Sequence, residues 1–139
     1  MTRQAADIYG TAFKNGTVTL MARVLGYDGA PVRRADVAAA VYSIYFLDEQ
    51  DVDARTPVSG HQDVSLAVAD VVSDQLRTGA PWDSAADPEG YNFCHTPNVL
   101  RHHAFPAAGL AYLVEYCLTP SVAAAAGQPI LARFRINVI

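Results

Sequence analysis

The densest group of potential metal ligands in this sequence is a short set of cysteine and histidine residues. Cys94 and His95 are adjacent, and His102 and His103 follow after six intervening residues. Thiolates and imidazoles are ligands that Zn²⁺ prefers, with three or four needed around one point. Such a site, built from His95, His102 and His103, would suit a metal-dependent enzyme. The spacing matches no zinc module, so we expect a polar loop with hydrogen-bonding histidines and no bound metal or cofactor.

Residues for nucleophilic catalysis are present without a recognisable motif. Ser65, His61 and Asp63 could supply a Ser-His-Asp set, and Cys94 with His95 a Cys-His pair. The sequence contains no Gly-x-Ser-x-Gly elbow, no P-loop and no GxGxxG motif. We therefore expect a protein that is not an enzyme.

Two groups of carboxylates fall in stretches without strand patterning. Oxygen ligands in flexible loops are typical of calcium sites, but neither group has EF-hand spacing. We interpret both as solvated loops. The groups are Asp48, Asp51 and Asp53, and Asp83, Asp87 and Glu89.

Length and composition limit the classes of protein that this chain can be. With 139 residues, residues 1–139 suit a single domain. Hydrophobic residues make up 51% and charged residues 17%, with mean hydropathy +0.11, which excludes intrinsic disorder. Ten basic and 14 acidic residues give a net charge of −4. Because non-specific nucleic-acid binding needs a basic surface, this balance argues against a nucleic-acid partner.

The beginning of the sequence has no targeting pattern. After Met1 there is no apolar run of the ~7–15 residues found in signal peptides. No stretch approaches the ~20 apolar residues of a membrane helix. We expect no signal peptide and no membrane insertion. The expected place of synthesis is the cytoplasm, followed by entry into a virion or an extracellular assembly.

Alternation of apolar and polar side chains predicts a chain made of β-strands. Residues 57–79 fit both a strand and a helical stripe. We interpret them as a strand to about Ala69, followed by at most one short helical turn near 70–78. The predicted strands are 17–25, 38–48, 64–69, 90–96, 110–119 and 130–138.

About seven strands at regular spacing, with almost no helix, indicate an all-β protein. Antiparallel strands with one apolar face must bury that face against a second sheet, which favours an antiparallel β-sandwich. A lipocalin-like barrel is the alternative.

Cys94 and Cys117 fall on the outward faces of their strands, so we expect two free thiols.

One outward face is more apolar than a solvated sheet requires. Val41, Tyr45 and Leu47 lie on the second face of the strand at 38–48. Together with Trp82, in a loop rich in Pro and Asp, they form the predicted interaction surface. The alternative is that segment 64–80 folds over this face.

The C-terminal part of the chain carries a resemblance to a known class of fold. It reads Phe-Pro-Ala-Ala-Gly-Leu-Ala-Tyr from Phe105, continues as an alternating strand, and after Gly127 forms a final strand. This resembles the last hairpin of immunoglobulin-like and fibronectin-III-like sandwiches in phage virion proteins and modular bacterial surface proteins. The order of elements is similar to the N-terminal domain of phage baseplate upper proteins. Tyr112 sits where those folds place the tyrosine of their corner motif.

The resemblance implies a non-catalytic structural or interaction protein. It would be a subunit or decoration component of a phage-like or surface assembly, with other protein subunits, including further copies, as partners. Open sheet edges offer unpaired backbone groups, so strand addition is the expected mode of contact. The alternative is a carbohydrate- or small-ligand-binding sandwich that uses Trp82, Tyr91 and the loop with His102 and His103.

Overall fold

A computed structural model describes residues 8–26, 28–48, 54–121 and 129–139. These residues form nine strands, one α-helical turn, α1 (Val68–Val71), and a short 3-10 helix (Arg34–Asp36). The all-β prediction is confirmed, with more strands than the predicted seven. The strands are β1 (Ile8–Ala12), β2 (Leu20–Ala22), β3 (Val37–Leu47), β4 (Arg55–Pro57), β5 (Val64–Leu66), β6 (Val72–Arg77), β7 (Tyr91–His95), β8 (Ala111–Pro120) and β9 (Ile130–Val138).

The larger sheet has the strand order β1-β9-β8-β3-β4, and β5 also pairs with β3. Its centre is antiparallel, with Tyr42 opposite Tyr116 and Val114 opposite Phe134. The predicted antiparallel pairing is wrong at one place, because β1 runs parallel to β9. The sequence did not predict β1 as a strand. Its five residues, Ile-Tyr-Gly-Thr-Ala, are interrupted by Gly10 and show too little alternation.

The smaller sheet has the order β2-β7-β6. β2 spans three residues, although alternation predicts a strand over 17–25. Beyond Ala22, hydrogen bonds from the buried side chain of Asn92 in β7 take the place of backbone pairing between β2 and β7. The amide of Asn92 accepts a hydrogen bond from the Val24 N–H at 2.7 Å. It also donates to the Val24 and Val32 carbonyls, each at 2.9 Å.

The two sheets share one apolar core between their inner faces. The Phe93 ring of the smaller sheet meets the Tyr116 ring of the larger sheet edge-on, with 4.7 Å between centroids. The inward faces predicted for the three long strands are confirmed. Their buried members include Tyr42, Ile44, Tyr112, Val114, Tyr116, Phe134 and Ile136.

The helical turn predicted near 70–78 lies earlier, at 68–71, and residues 72–77 form β6 instead. Arg34 supplies hydrogen bonds where the helix ends and β6 begins. Its side chain donates to the Ala69 carbonyl at 3.0 Å and to the Val72 carbonyl at 2.8 Å. Carbonyls at a helix end need such partners. Because Arg34 is 35 residues away from Ala69, no local pattern could reveal it.

Candidate interaction site

The predicted apolar surface on β3 is partly covered by the chain itself. Val41, Tyr45 and Leu47 lie on the outer face of β3, and all three are half-buried. The Arg55 guanidinium lies 4.9 Å from the centre of the Tyr45 ring, a cation–π contact. β5 lies beside β3 in the sheet. In the alternative interpretation, segment 64–80 folds over this face. That interpretation is wrong for the first residues of the segment, because they form β5 within the sheet.

Charged side chains cover a further part of this outer face. A carboxylate oxygen of Glu115 lies 3.6 Å from Arg55 and 3.7 Å from Arg133. Leu113, on the same outer face, is only 2% exposed. Long charged side chains bury apolar surface along their stems while their heads stay in water. The outer face of the central strands is thus partly shielded from solvent.

Trp82 lies apart from the other three predicted surface residues. It is half-buried and packs against Tyr91, with ring centroids 5.4 Å apart and planes inclined by 42°. Its indole N–H donates to the Asp87 carbonyl at 3.0 Å. The two rings therefore do not form the flat, exposed pair that a carbohydrate-binding platform would need.

The second group of carboxylates orders the loop that carries Trp82. Asp83 accepts hydrogen bonds from two backbone N–H groups of its own turn. Arg23 donates to both carboxylate oxygens of Asp87, at 2.9 and 2.7 Å. Burial alone would raise the pKa of Asp87, but hydrogen bonds from Arg23 and from two backbone N–H groups hold it below its ordinary value. In the first group, Asp51 and Asp53 lie outside the described residues.

The cysteine and histidine residues considered as metal ligands do not converge on one point. Within the described part of the chain, no three His, Cys, Asp or Glu residues are placed to hold a metal ion. Cys94 lies in β7 opposite Met21, and Cys117 lies in β8 opposite Val41, so the two free thiols belong to different sheets. Burial raises the pKa of the Cys94 thiol.

His61 is buried and hydrogen-bonded through both ring nitrogens. Its Nε2 lies 2.8 Å from the His102 carbonyl, which can only accept, so this nitrogen carries the proton. In the neutral ring Nδ1 then accepts from the Tyr42 hydroxyl, at 2.7 Å. Because both nitrogens are engaged, His61 cannot serve Ser65 as a base in this arrangement. It ties the loop around His102 to β3.

A second histidine–tyrosine pair lies between the sheets. Nδ1 of His95 and the Tyr116 hydroxyl are hydrogen-bonded at 2.6 Å. Burial lowers the pKa of His95 to about 4 and raises that of Tyr116, whose shift Tyr42 and Cys94 increase. Both groups are therefore neutral near pH 7. Both rings of the pair pack against Tyr42, which together with Tyr116 belongs to the core.

The side chain of Tyr112 makes a hydrogen bond near the start of β8. Its hydroxyl accepts from the Ala107 N–H at 3.1 Å, five residues upstream. The ring is buried and meets Phe105 and Phe46 edge-on. Tyr112 thus fixes the turn that precedes β8.

An apolar groove opens between the edges of the two sheets, beside β1 and β2. Its volume is about 320 Å³. Phe134 and Ile136 lie in the groove with Ile8, Leu20 and Trp82 among its other lining residues. Trp82 was predicted as a contact residue, whereas β1 was not predicted, because Gly10 interrupts its alternation.

β1 presents unpaired backbone groups on the side away from β9. The Ile139 N–H donates to the Ala12 carbonyl at 2.9 Å, and the Lys14 N–H donates to the Ile139 carbonyl at 3.0 Å. Backbone groups along a strand alternate in direction, so those of Tyr9 and Thr11 point away from β9. β1 is the last strand of its sheet. Within the described chain, these four N–H and C=O groups therefore have no strand partner.

Comparison with protein families, with characterised proteins and with solved structures finds no match for this chain. No helix in the described residues is long and apolar enough to cross a lipid bilayer.

Proposed function

We propose that this protein is a non-catalytic interaction module with an immunoglobulin-like sandwich fold. It joins other protein chains by accepting an extended strand along β1. In this role it is a structural subunit or decoration component of a larger assembly, of the phage-like or surface type suggested by its C-terminal hairpin. The observation that carries the proposal is the set of four backbone groups of Tyr9 and Thr11 that have no strand partner among the described residues.

The strand order supports the immunoglobulin-like part of the proposal. In that fold one sheet contains strands C, F and G, to which variable-type domains add C′, and the other contains B, E and D. Here β4-β3-β8-β9 follows the order C′-C-F-G, and β2-β7-β6 follows B-E-D. The Tyr112 hydroxyl bonds the backbone five residues upstream, as the corner tyrosine near the start of strand F does.

The groove beside β1 supports an extended polypeptide as the occupant. A strand added to a sheet edge gains affinity from main-chain hydrogen bonds and specificity from alternate side chains that enter pockets. The Tyr9 and Thr11 groups supply the hydrogen bonds. The rings of Phe134 and Trp82, together with Ile136, supply an apolar lining. The expected partner segment is therefore an extended strand with alternating apolar side chains.

A displayed library of 12-residue peptides tests this proposal, with wild-type protein compared against Thr11→Pro. Proline removes the outward N–H, and edge strands tolerate proline where that N–H faces solvent. Thr11→Val is the matched control, because it keeps the N–H and a similar shape. Thr11→Lys is the second edge-blocking variant, since lysine protects edges without a backbone constraint.

We expect wild type and Thr11→Val to enrich peptides with alternating apolar residues, and the two edge-blocked variants to lose them. In NMR titrations the bound peptides should shift the Tyr9 and Thr11 amide signals and the Trp82 indole signal. Equal binding to Thr11→Pro would overturn the proposal. So would a wild-type protein that enriches no peptide and stays at monomer mass in light scattering.

A further inference from the structure

We infer that the strand that pairs with β1 is β1 of a second copy, in an antiparallel arrangement across a two-fold axis at Gly10. This inference rests on the proposed function, because it names the partner for the same edge. It follows from three features of β1: its lack of edge protection, its hydrogen-bond register and its central glycine.

The other sheet edges carry the devices that prevent edge-to-edge pairing, and β1 does not. Charged residues, proline, bulges and short length all discourage strand addition. β4 contains Arg55 and Pro57, and β2 and β5 are only three residues long. β6 contains Asp74 and Arg77, and its register with β7 is irregular. β1 has no charge and no proline over Ile8–Ala12.

The hydrogen-bond pattern of β1 is complementary to itself. In an antiparallel ladder, two directly opposed residues exchange both of their N–H···O bonds, and such pairs recur every second residue. The outward groups of β1 belong to Tyr9 and Thr11. A two-fold axis at Gly10 places Tyr9 of each copy opposite Thr11 of the other. All four outward groups of each copy then find a partner.

Gly10 lies on the two-fold axis of this register, at one of the close pairs that alternate with the hydrogen-bonded pairs. Two residues opposed on the axis form a non-hydrogen-bonded pair, with Cα atoms ~4.5 Å apart. Gly10 has no side chain to oppose this approach. A Cβ there would already lie 3.1 Å from Ile136 of the same copy.

The same register covers exposed apolar surface. Ile8 is 39% exposed and Tyr9 is 70% exposed. Opposed residues lie on the same face of a sheet, so Ile8 of one copy meets Ala12 of the other on the inner side. The contact is isologous, so it closes at two copies. A single strand pair is smaller than a standard stable interface, so this dimer should dissociate on dilution.

Analytical ultracentrifugation of the full chain over a range of concentrations is the first test. Wild type should pass from monomer to dimer as concentration rises, and Thr11→Val should match it within about threefold. Thr11→Pro removes two of the four inter-copy hydrogen bonds, so dimerisation should weaken at least ~30-fold. A wild-type protein that stays monomeric, or a dimer insensitive to Thr11→Pro, would overturn the inference.

Disulfide formation tests the register directly. In a Cys94→Ser, Cys117→Ser background, Tyr9→Cys protein is mixed with Thr11→Cys protein and oxidised. The proposed register opposes positions 9 and 11 at ~5.5 Å between Cα atoms, within disulfide reach. Identical positions are diagonal neighbours at ~7–8 Å, too far for a relaxed bridge. The mixture should therefore cross-link and each variant alone should not, whereas 9–9 or 11–11 bridges would refute this register.

The two proposals fail in different ways. If peptides bind along β1 while the wild-type protein stays monomeric, the second-copy inference is wrong and strand addition stands. If neither peptides nor a second copy engages β1, the proposed function fails as well.

Discussion

Replacing Asn92 by aspartate should make the stability of this protein strongly dependent on pH. Asn92 is 1% exposed, and its NH₂ group donates to two backbone carbonyls, each at 2.9 Å. Asn92→Asp keeps the shape but replaces that group with an oxygen. An ionised oxygen would face two carbonyl oxygens in a buried site, so the folded variant must keep its carboxyl protonated. The folded-state pKa of the new carboxyl therefore lies above the unfolded value of ~3.9.

The magnitude follows from proton linkage. Below the unfolded pKa both states are protonated, so the variant should lose only ~1 kcal/mol, because one O–H cannot serve two carbonyls. Above pH ~3.9 the unfolded state releases its proton and the folded state does not. The loss in free energy of unfolding relative to wild type then grows by ~1.4 kcal/mol per pH unit, until the new carboxyl also ionises in the folded state. If the group stays protonated to pH 7, the added loss reaches ~4 kcal/mol.

Urea unfolding of wild type, Asn92→Asp and Asn92→Ala at several pH values between 3.5 and 7 checks this prediction. Asn92→Ala is the control, because it has no titrating group at this position. It leaves the Val24 N–H unpaired, so it should lose ~2–4 kcal/mol at every pH. If the free energy of unfolding differed between Asn92→Asp and wild type by the same amount at every pH in this range, the reasoning would be refuted.

Three further predictions concern the core and its turns. The imidazole of His95 should titrate near pH 4 in NMR spectra. This folded-state pKa lies below the ordinary 6.5, so protonation of His95 favours the unfolded chain. The contribution of neutral His95 to the free energy of unfolding is therefore complete above pH 6.5 and is lost as the pH falls from 6.5 to about 4. His95→Phe should flatten that part of the stability curve, and an unchanged curve would contradict the assignment. Tyr112→Phe should cost ~1 kcal/mol in urea unfolding by leaving the Ala107 N–H without its partner, whereas Tyr9→Phe at an exposed position should cost almost nothing. Gly60→Ala should destabilise the protein more than Gly29→Ala, because both glycines have positive φ but only at Gly60 would a Cβ overlap a side chain, the His102 ring. Equal melting temperatures for these two variants would count against the packing of the His102 loop.

The long strands were predictable because their signal is local. β3, β8 and β9 are continuous runs of nine or more residues rich in β-branched and aromatic side chains, and their bounds lie within one residue of the predicted ones. Short or interrupted strands were not predictable. β1 contains a glycine, and β4 has only three residues, so neither shows a period.

The candidate site was only partly predictable. The sequence identified Val41, Tyr45 and Leu47 as one outer face, and Trp82 as a further contact residue. It could not show that Arg55 lies over Tyr45, because that contact depends on the pairing of β4 with β3. It also could not place Trp82 in a groove lined by residues from both ends of the chain, such as Ile8 and Phe134.

By itself, the sequence determined the all-β class, the inward faces of the long strands and the absence of recognisable catalytic motifs. These properties depend on residue type and on spacing within a few positions. Only the tertiary structure decided which strand lies at the edge of each sheet, and so which backbone groups stay unpaired. It also decided that Asn92 holds Val24, 68 residues away, and that β1 lies parallel to β9. Such pairings join residues far apart in the chain, and hydrophobic alternation specifies a strand's face without specifying its neighbour.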